Sequence, residues 1–455
     1  MRPSRFFRGG PRTALLLGLL VSLTGITSAE PAAILLIVAD QHSADQRSAQ
    51  LLARVDALRA AHPSVPMAML IDGDAFEHGN PVALRSAGAI DFALLAALAH
   101  RLPTILNIGN HEAEFQDLPT TVARLEAAGV TVITNLRETG TDRALAPAST
   151  RLTLGERTFV FAGIATDDLA TYPAEIRPAL QAPEPVPWAR DHLARLFAGA
   201  DQPVVLSHAG IAADRAILPL VPDGTLFAGA HNHLRFVHHA GRTVYFHSGY
   251  WKEFLSVATL EADARGDPAW SVVAEPINDA DPAEPGLAAL IAETRARFLT
   301  AADLAVVGTS TRRLATGEAA LLAVAAVRDA AHADAALIGN TTFGAGLPAG
   351  DVTRVAFDAW VRFDGALCVA EVDGRRLASL LATANQNERT PFAERRGEFL
   401  YAVGPPHLDP TATYRIVTND WGAKNSERYF GRPAITWTTL AEPRLKAVAA
   451  AALNP

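Results

Sequence analysis

Six short apolar runs in the first 250 residues each stop at a side chain that can bind a metal ion. The run 34–39 ends at Asp40-Gln41-His42, and 67–71 leads into Asp72-Gly73-Asp74. The run 104–108 leads into Gly109-Asn110-His111-Glu112, and 204–206 into Ser207-His208. The run 225–229 leads into Ala230-His231-Asn232-His233, and 243–246 ends at His247. A single such ending says little. Several in succession suggest strands that deliver Asp, Asn and His to one edge of a sheet, where open α/β folds place their sites.

The rest of the chain bounds this reading. A length of 455 residues suggests two domains, and 49% hydrophobic with 19% charged residues is a globular composition. The formal net charge of −8 excludes a nonspecific nucleic-acid binder, which needs a basic face to replace counterions. An anionic substrate would need metals or a local Arg cluster to overcome that field. Residues 1–29 read as an export signal: Arg2, Arg5, Arg8 and Arg12 precede an apolar stretch at 14–21, and Thr27-Ser28-Ala29 offers small residues for cleavage before Glu30. The stretch is too short to span a bilayer comfortably. An uncleaved anchor is the alternative. Cleavage would remove four Arg and leave a charge of about −12 on a periplasmic or secreted protein with no stable membrane insertion. Cys368 is the only cysteine, so no intramolecular disulfide can form, and its apolar run 366–372 predicts a buried thiol.

Residues 30–262 alternate strand-like runs with helical periodicity at 49–60, 90–100 and 122–128. Residues 173–187 are Pro-rich and read as a loop before a helix at 189–197. Strand signals at 204–206, 225–228, 234–237, 243–246 and 255–260 follow closely, which implies a mixed sheet. The Asp-, Pro- and Gly-rich stretch 263–286 reads as a linker, with a helix at 287–298. A second unit is expected over 303–455, after a linker and connecting helix at 263–302. Its strands are expected at 304–307, 335–338, 366–372 and 414–417, and its helices at 318–331, 375–384 and 442–452.

A two-metal site needs oxygen and nitrogen ligands from several segments and a bridging carboxylate. Asp74 is the candidate bridge, because Gly73 lets the backbone turn sharply before it. Asp40 and His42 are two residues apart and can reach one ion. Asn110 offers an amide oxygen, and His208, His231 and His233 offer imidazoles. Such an N/O mixture suits Zn, Mn, Fe or Co better than Ca or Mg.

These motifs resemble the calcineurin-like metallophosphoesterase superfamily, and within it the exported 5′-nucleotidase and UDP-sugar hydrolase group. Gly73-Asp74 followed by Gly79-Asn80-Pro81 is similar to that group's pattern, with a spacer about one residue longer. Gly109-Asn110-His111-Glu112 and Leu206-Ser207-His208 are also similar. The resemblance covers residues 33–260. It implies a four-layer α/β/β/α sandwich followed by a smaller α/β 5′-nucleotidase-type C-terminal domain. It implies that Asp40, His42 and His233 bind one metal, that Asn110, His208 and His231 bind the other, and that Asp74 bridges them. His111 becomes the imidazole that contacts the phosphate, oriented by Glu114 where the group usually has Asp. The implied reaction is in-line hydrolysis of a small phosphorylated substrate by metal-activated hydroxide.

Residues 303–440 resemble the group's substrate domain through 346–353 and Thr418-Asn419-Asp420-Trp421. The departures lie in its functional positions. Where that group has a substrate Arg, this chain has Ala345 or Gly344, depending on the alignment. The late Gly-Gly-Asp-Gly-Tyr is replaced by Asn425-Ser426-Glu427-Arg428-Tyr429. Phe343, Phe363 and Tyr429 are candidates to stack on a substrate ring, and Arg362 or Arg428 to replace the lost charge. His238 and His239 are expected in an exposed turn, His78 in a solvated loop, and His247 is a possible lining residue. The leading expectation is a nucleotide phosphomonoesterase. Alternatives are a cyclic-nucleotide phosphodiesterase, a nucleotide-sugar pyrophosphate or sulfur-ester hydrolase, or a degenerate ligand-binding relative without turnover.

Overall fold

The computed structural model describes residues 30–454; the expected export signal lies outside them. The chain opens with β1 (Ala33–Ala39), α1 (Ser48–Ala61), β2 (Met67–Asp72), α2 (Pro81–Ser86), α3 (Ala89–Arg101), β3 (Thr104–Asn107), α4 (Leu118–Ala127) and β4 (Val130–Ile133). Strands β1 to β4 run parallel. Every residue of β1, β2 and β3 is buried, as expected for parallel strands covered on both faces.

The chain continues through β5 (Arg137–Glu138), β6 (Ser149–Leu154), β7 (Arg157–Ala165), β8 (Leu180–Gln181), α5 (Pro185–Leu196), β9 (Gln202–His208), α6 (Ile211–Ile217), β10 (Leu226–Gly229), β11 (Arg235–Ala240), β12 (Thr243–Ser248), β13 (Phe254–Ala262), β14 (Pro268–Pro276) and α7 (Pro285–Phe298). One six-stranded sheet has the order β14-β13-β1-β2-β3-β4, and a second has β11-β12-β10-β9-β7-β6. Leu35, Ile37, Leu70 and Ile105 of the first sheet meet Phe159, Phe161, Leu206 and Phe246 of the second in a buried apolar layer. The outer face of the first sheet, including Leu36 and Met69, packs against Leu52, Val55 and Leu94 of its helices. Val160, Val205 and Phe227 on the outer face of the second pack against Leu193 and Ile217. The result is an α/β/β/α sandwich.

Three sequence expectations change here. The six metal-ligand endings do not lie on one sheet: β1, β2 and β3 belong to the first, and β9, β10 and β12 to the second. The stretch 263–286 is not a bare linker. Nine of its residues form β14, paired antiparallel with β13 along its whole length. Trp270 holds that edge strand in place, buried and edge-on to Phe159 at 6.2 Å between centroids. The helix expected at 189–197 starts earlier, at Pro185, because proline is compatible with a first helical turn.

The remaining chain forms β15 (Val306–Ser310), α8 (Thr316–Ala330), β16 (Ala335–Gly339), β17 (Gly350–Thr353), α9 (Arg354–Trp360), β18 (Ala366–Asp373), α10 (Gly374–Ala382), β19 (Leu400–Val403), β20 (Thr413–Asn419) and β21 (Thr438–Arg444), with a last helix at Leu445–Ala451. A five-stranded sheet of order β19-β16-β20-β18-β21 forms its centre. Glu442, expected to be helical, lies on β21. Cys368 is buried on β18, as its apolar run predicts. No helix among the described residues is long and apolar enough to cross a membrane.

Candidate metal centre

The C-terminal ends of the parallel strands in both sheets point to one place. The backbone there is unusual: Asp40, His42, Asp74, His231 and His233 all have positive φ, between 47° and 75°. Five of the seven candidate ligands thus adopt a left-handed conformation that costs of order 1–3 kcal/mol per residue and survives only where surrounding structure imposes it. Gly73 and Gly109 make the crowding possible. A Cβ on Gly73 would sit 2.8 Å from the Gly109 Cα, and one on Gly109 would sit 2.9 Å from His208 Nε2.

Asp74 occupies the middle. Its Oδ1 accepts the His111 backbone N–H at 2.9 Å, and its Oδ2 lies 3.0 Å from His208 Nε2 and 4.0 Å from His42 Nε2. Asp40 Oδ1 accepts the His231 backbone N–H at 3.1 Å and lies 4.0 Å from His42 Nε2. His42 and His233 face each other with their Nε2 atoms 2.7 Å apart. On the other side, Asn110 Oδ1 lies 2.9 Å from His231 Nδ1, while the Asn110 amide donates to Thr171 O at 3.2 Å and so keeps its oxygen toward the centre. His208 Nδ1 is bonded to the Asp72 carbonyl at 2.8 Å, which leaves Nε2 facing inward.

The donor set fits divalent cations. Asp40, His42 and His233 bring ligand atoms within 4.8 Å of one another, as do Asp74, His208 and His231. His233 Nδ1 is buried without a hydrogen-bond partner among the described residues. Burial, with the Arg362 charge, pushes His42 down to about 3, and burial, with the His208 charge, does the same for His231. Both shifts favour the neutral imidazole, the form that ligates a metal, whereas Asp74 and Asp40 push His208 well above its ordinary value against its burial. Burial raises Asp40 to about 7 against the pull of His208.

His111 stands at the edge of this set. Its Nδ1 lies 2.6 Å from Glu114 Oε1. Burial alone would lower the ring's pKa, but Asp74, Glu114 and Glu77 outweigh it and raise His111 to about 9. These carboxylates favour the charged imidazolium over the neutral ring. Glu114 Oε2 also accepts the His78 backbone N–H at 3.2 Å; the His78 ring is exposed on the cavity wall, as its loop position predicts.

Glu112 has no role in the ligand pattern that the sequence suggests. Its carboxylate accepts the backbone N–H groups of Asp74, Ala75 and Gly109 at 3.1, 2.7 and 2.6 Å, tying the second and third strand endings together. The only available signal was its place next to His111.

A cavity of about 550 Å³ opens beside the centre, lined among others by Asn110, His111, His231, Phe363, Trp421 and Tyr429. Phe363 and Trp421 are among the few large apolar side chains left exposed. Trp421 ends the Thr418-Asn419-Asp420-Trp421 segment but is not among the stacking candidates that the sequence suggests. Phe343 departs from expectation: it is 1% exposed, packs edge-on to Tyr401 in the core and does not line the cavity. Arg428 is also absent from the wall, held instead by Asp168 and Glu398. His247 stays out of the site, bonded to the Tyr245 hydroxyl at 2.8 Å beside Asp214. His238 and His239 lie on β11 rather than in a turn, and His238 stacks on Phe392.

No family model and no curated protein matches this chain. Solved structures do. A 5′-nucleotidase precursor from Thermus thermophilus superposes with a TM-score of 0.60 at 18% identity, covering 92% of this chain and 96% of that one. A 5′-nucleotidase from Candida albicans gives 0.60 at 12% identity, over 93% and 98%. The sulfate thiohydrolase SoxB of Thermus thermophilus gives 0.60 at 16% identity, over 91% and 80%. The similarity spans both parts of the chain.

Proposed function

We propose that this chain, which has the fold of the 5′-nucleotidase type of calcineurin-like metallophosphoesterase, is a two-metal hydrolase of phosphate esters acting on nucleotide-type monophosphates. One observation supports this above the others: six ligand-type side chains from two sheets meet around one carboxylate, Asp74. Asp40, His42 and His233 would hold one ion and Asn110, His208 and His231 the other, with Asp74 shared between the two sets. Zn, Mn, Fe or Co suits this donor set. Such ions supply Lewis acidity and activate water for attack at phosphorus.

The chain's own groups do the rest. Glu114 engages His111 Nδ1, which fixes the ring and leaves Nε2 for a phosphoryl oxygen. The cationic ring offsets the negative charge that grows on those oxygens in the transition state. Phe363, Trp421 and Tyr429 offer an apolar wall for a base or similar ring. Residues 30–262 form the catalytic domain and 303–455 the substrate domain. The export signal read at 1–29 assigns the work to the periplasm or exterior.

The test is a turnover screen of metal-loaded protein against nucleoside monophosphates, sugar phosphates, cyclic nucleotides and a sulfate thioester. Phosphate release that is fastest from nucleoside monophosphates supports the proposal, and no phosphoester turnover refutes it. A sulfur-ester hydrolase is the second reading. It is favoured by Ala345 or Gly344 standing where the resembled group has a substrate Arg, on a fold the thiohydrolase shares. A non-catalytic binder is separated from both by His111→Ala. In an enzyme this substitution lowers kcat about 10²–10³-fold while metal content stays unchanged.

A further inference from the structure

One buried carboxylate beside the ligand set has no part in the reading above. Glu77 follows β2 and is 6% exposed. Its Oε2 lies 3.1 Å from His42 Nδ1. Its backbone N–H donates to Ser43 Oγ at 2.9 Å, which anchors the loop beside His42. Arg362, just after α9, makes a short ion pair with Glu77, and both side chains are buried. Arg362 Nη1 donates to Thr341 O at 3.1 Å, and the guanidinium lies 5.0 Å from the centre of the Trp251 ring. Trp251 in turn packs on the His42 ring, with centroids 4.8 Å apart.

We propose that Glu77, held in place by Arg362, is the positioning residue for His42: it accepts the Nδ1 proton and so presents the Nε2 lone pair to the metal. The inference rests on the metal reading of the centre and adds two residues to it. A ligating imidazole whose other N–H is bonded to a carboxylate has a fixed tautomer and orientation and a more basic ligand nitrogen. Arg362 Nη2 also lies 3.3 Å from His42 Nδ1. With Nε2 kept free for a metal, both atoms are donors, so the guanidinium serves Glu77 and not the ring. Its charge lets a carboxylate stay ionised where burial would otherwise penalise it. His42, Glu77 and His111 also lie within 4.8 Å of one another, a spacing that could hold a third cation. The Arg362 charge already sits against Glu77, which favours the positioning role. One consequence crosses the chain: the orientation of a ligand before residue 262 depends on a guanidinium supplied after residue 303.

The test titrates metal-stripped full-length protein with cobalt(II) in competition with a chromophoric chelator, following the cobalt ligand-field absorption. Wild type is expected to bind two ions. Glu77→Leu should weaken one of them by about 10–100-fold and leave the other unchanged. Glu77→Gln, which keeps a neutral acceptor, should fall between. The double variant Glu77→Leu/Arg362→Met removes the stranded charge; it should regain the thermal stability lost by Glu77→Leu but not the metal affinity. Wild-type affinity at both sites in the double variant would overturn the proposal, as would equal weakening of both sites or a third ion in the wild type. A wild type that binds no cobalt overturns the metal reading itself, a different result from any of these.

Discussion

Gly109 has no side chain because Asp74 and His208 already occupy the space. A Cβ there would lie 2.7 Å from the Asp74 nitrogen and 2.9 Å from His208 Nε2. Gly109→Ala must therefore push one ligand out of place. Displacements of about 1 Å in a reacting centre cost about 10²-fold in rate. The expected outcome is a kcat lower by that factor or more and substoichiometric metal, read by elemental analysis and phosphate release. Metal content and rate equal to wild type would show that the crowding has no consequence. The side chains that gather around Asp74 were legible in the sequence, because each follows an apolar run and the spacings recur in order. Glu77 and Arg362 were not legible as a pair, since they meet across 285 positions and neither belongs to a spaced set. Residue type also cannot tell a stacking aromatic from a core one. Phe343 and Phe363 look alike in sequence, yet one is 1% and the other 49% exposed.

At the scale of elements, β14 shows where composition misleads. Asp, Pro and Gly cluster at both of its ends and conceal the strand between them. Trp270 gives the physical check. Trp270→Ala removes a buried ring between the two sheets and should cost about 3–5 kcal/mol, measured as a shift in urea unfolding. A residue in a free linker would change stability by less than about 0.5 kcal/mol. The contact between α2 and Asp303 makes a second prediction. Arg85 donates to Asp303 at 2.6 Å and to Phe298 O at 2.6 Å. Its guanidinium, with Thr300, holds Asp303 below the usual carboxylate range. A depressed carboxylate pKa stabilises the fold above the unfolded value, about 3.9, and loses that contribution as pH falls toward the folded one. The stability difference between wild type and Arg85→Ala should therefore be present at pH 6 and shrink below about pH 4. A difference that stays constant with pH would show that the pair acts by packing alone.

Across the whole molecule, the two sheets matter more than either one. Six strand endings suggested a single sheet edge, but they divide evenly between two sheets, and only the sandwich brings five of them together. A pattern of apolar runs gives the strands and their order but not which sheet each joins, because that choice depends on pairings between distant segments. The same packing seats Arg362 over Glu77 and donates Asn340 Nδ2 to the Asn232 carbonyl at 3.0 Å, between two of the metal-site histidines. Structure from the second part thus reaches the chemistry of the first. With a negative net charge overall, the proposed function requires an anionic substrate to be attracted locally, by His111 and by bound metal ions. The central claim is therefore that hydrolysis depends on those ions. The direct measurement is phosphate release from a nucleoside monophosphate by metal-stripped protein as cobalt(II) is added back. The account expects no activity without metal and a rise that saturates at two equivalents per chain. Full activity in the stripped protein, or none at any metal loading, would contradict it.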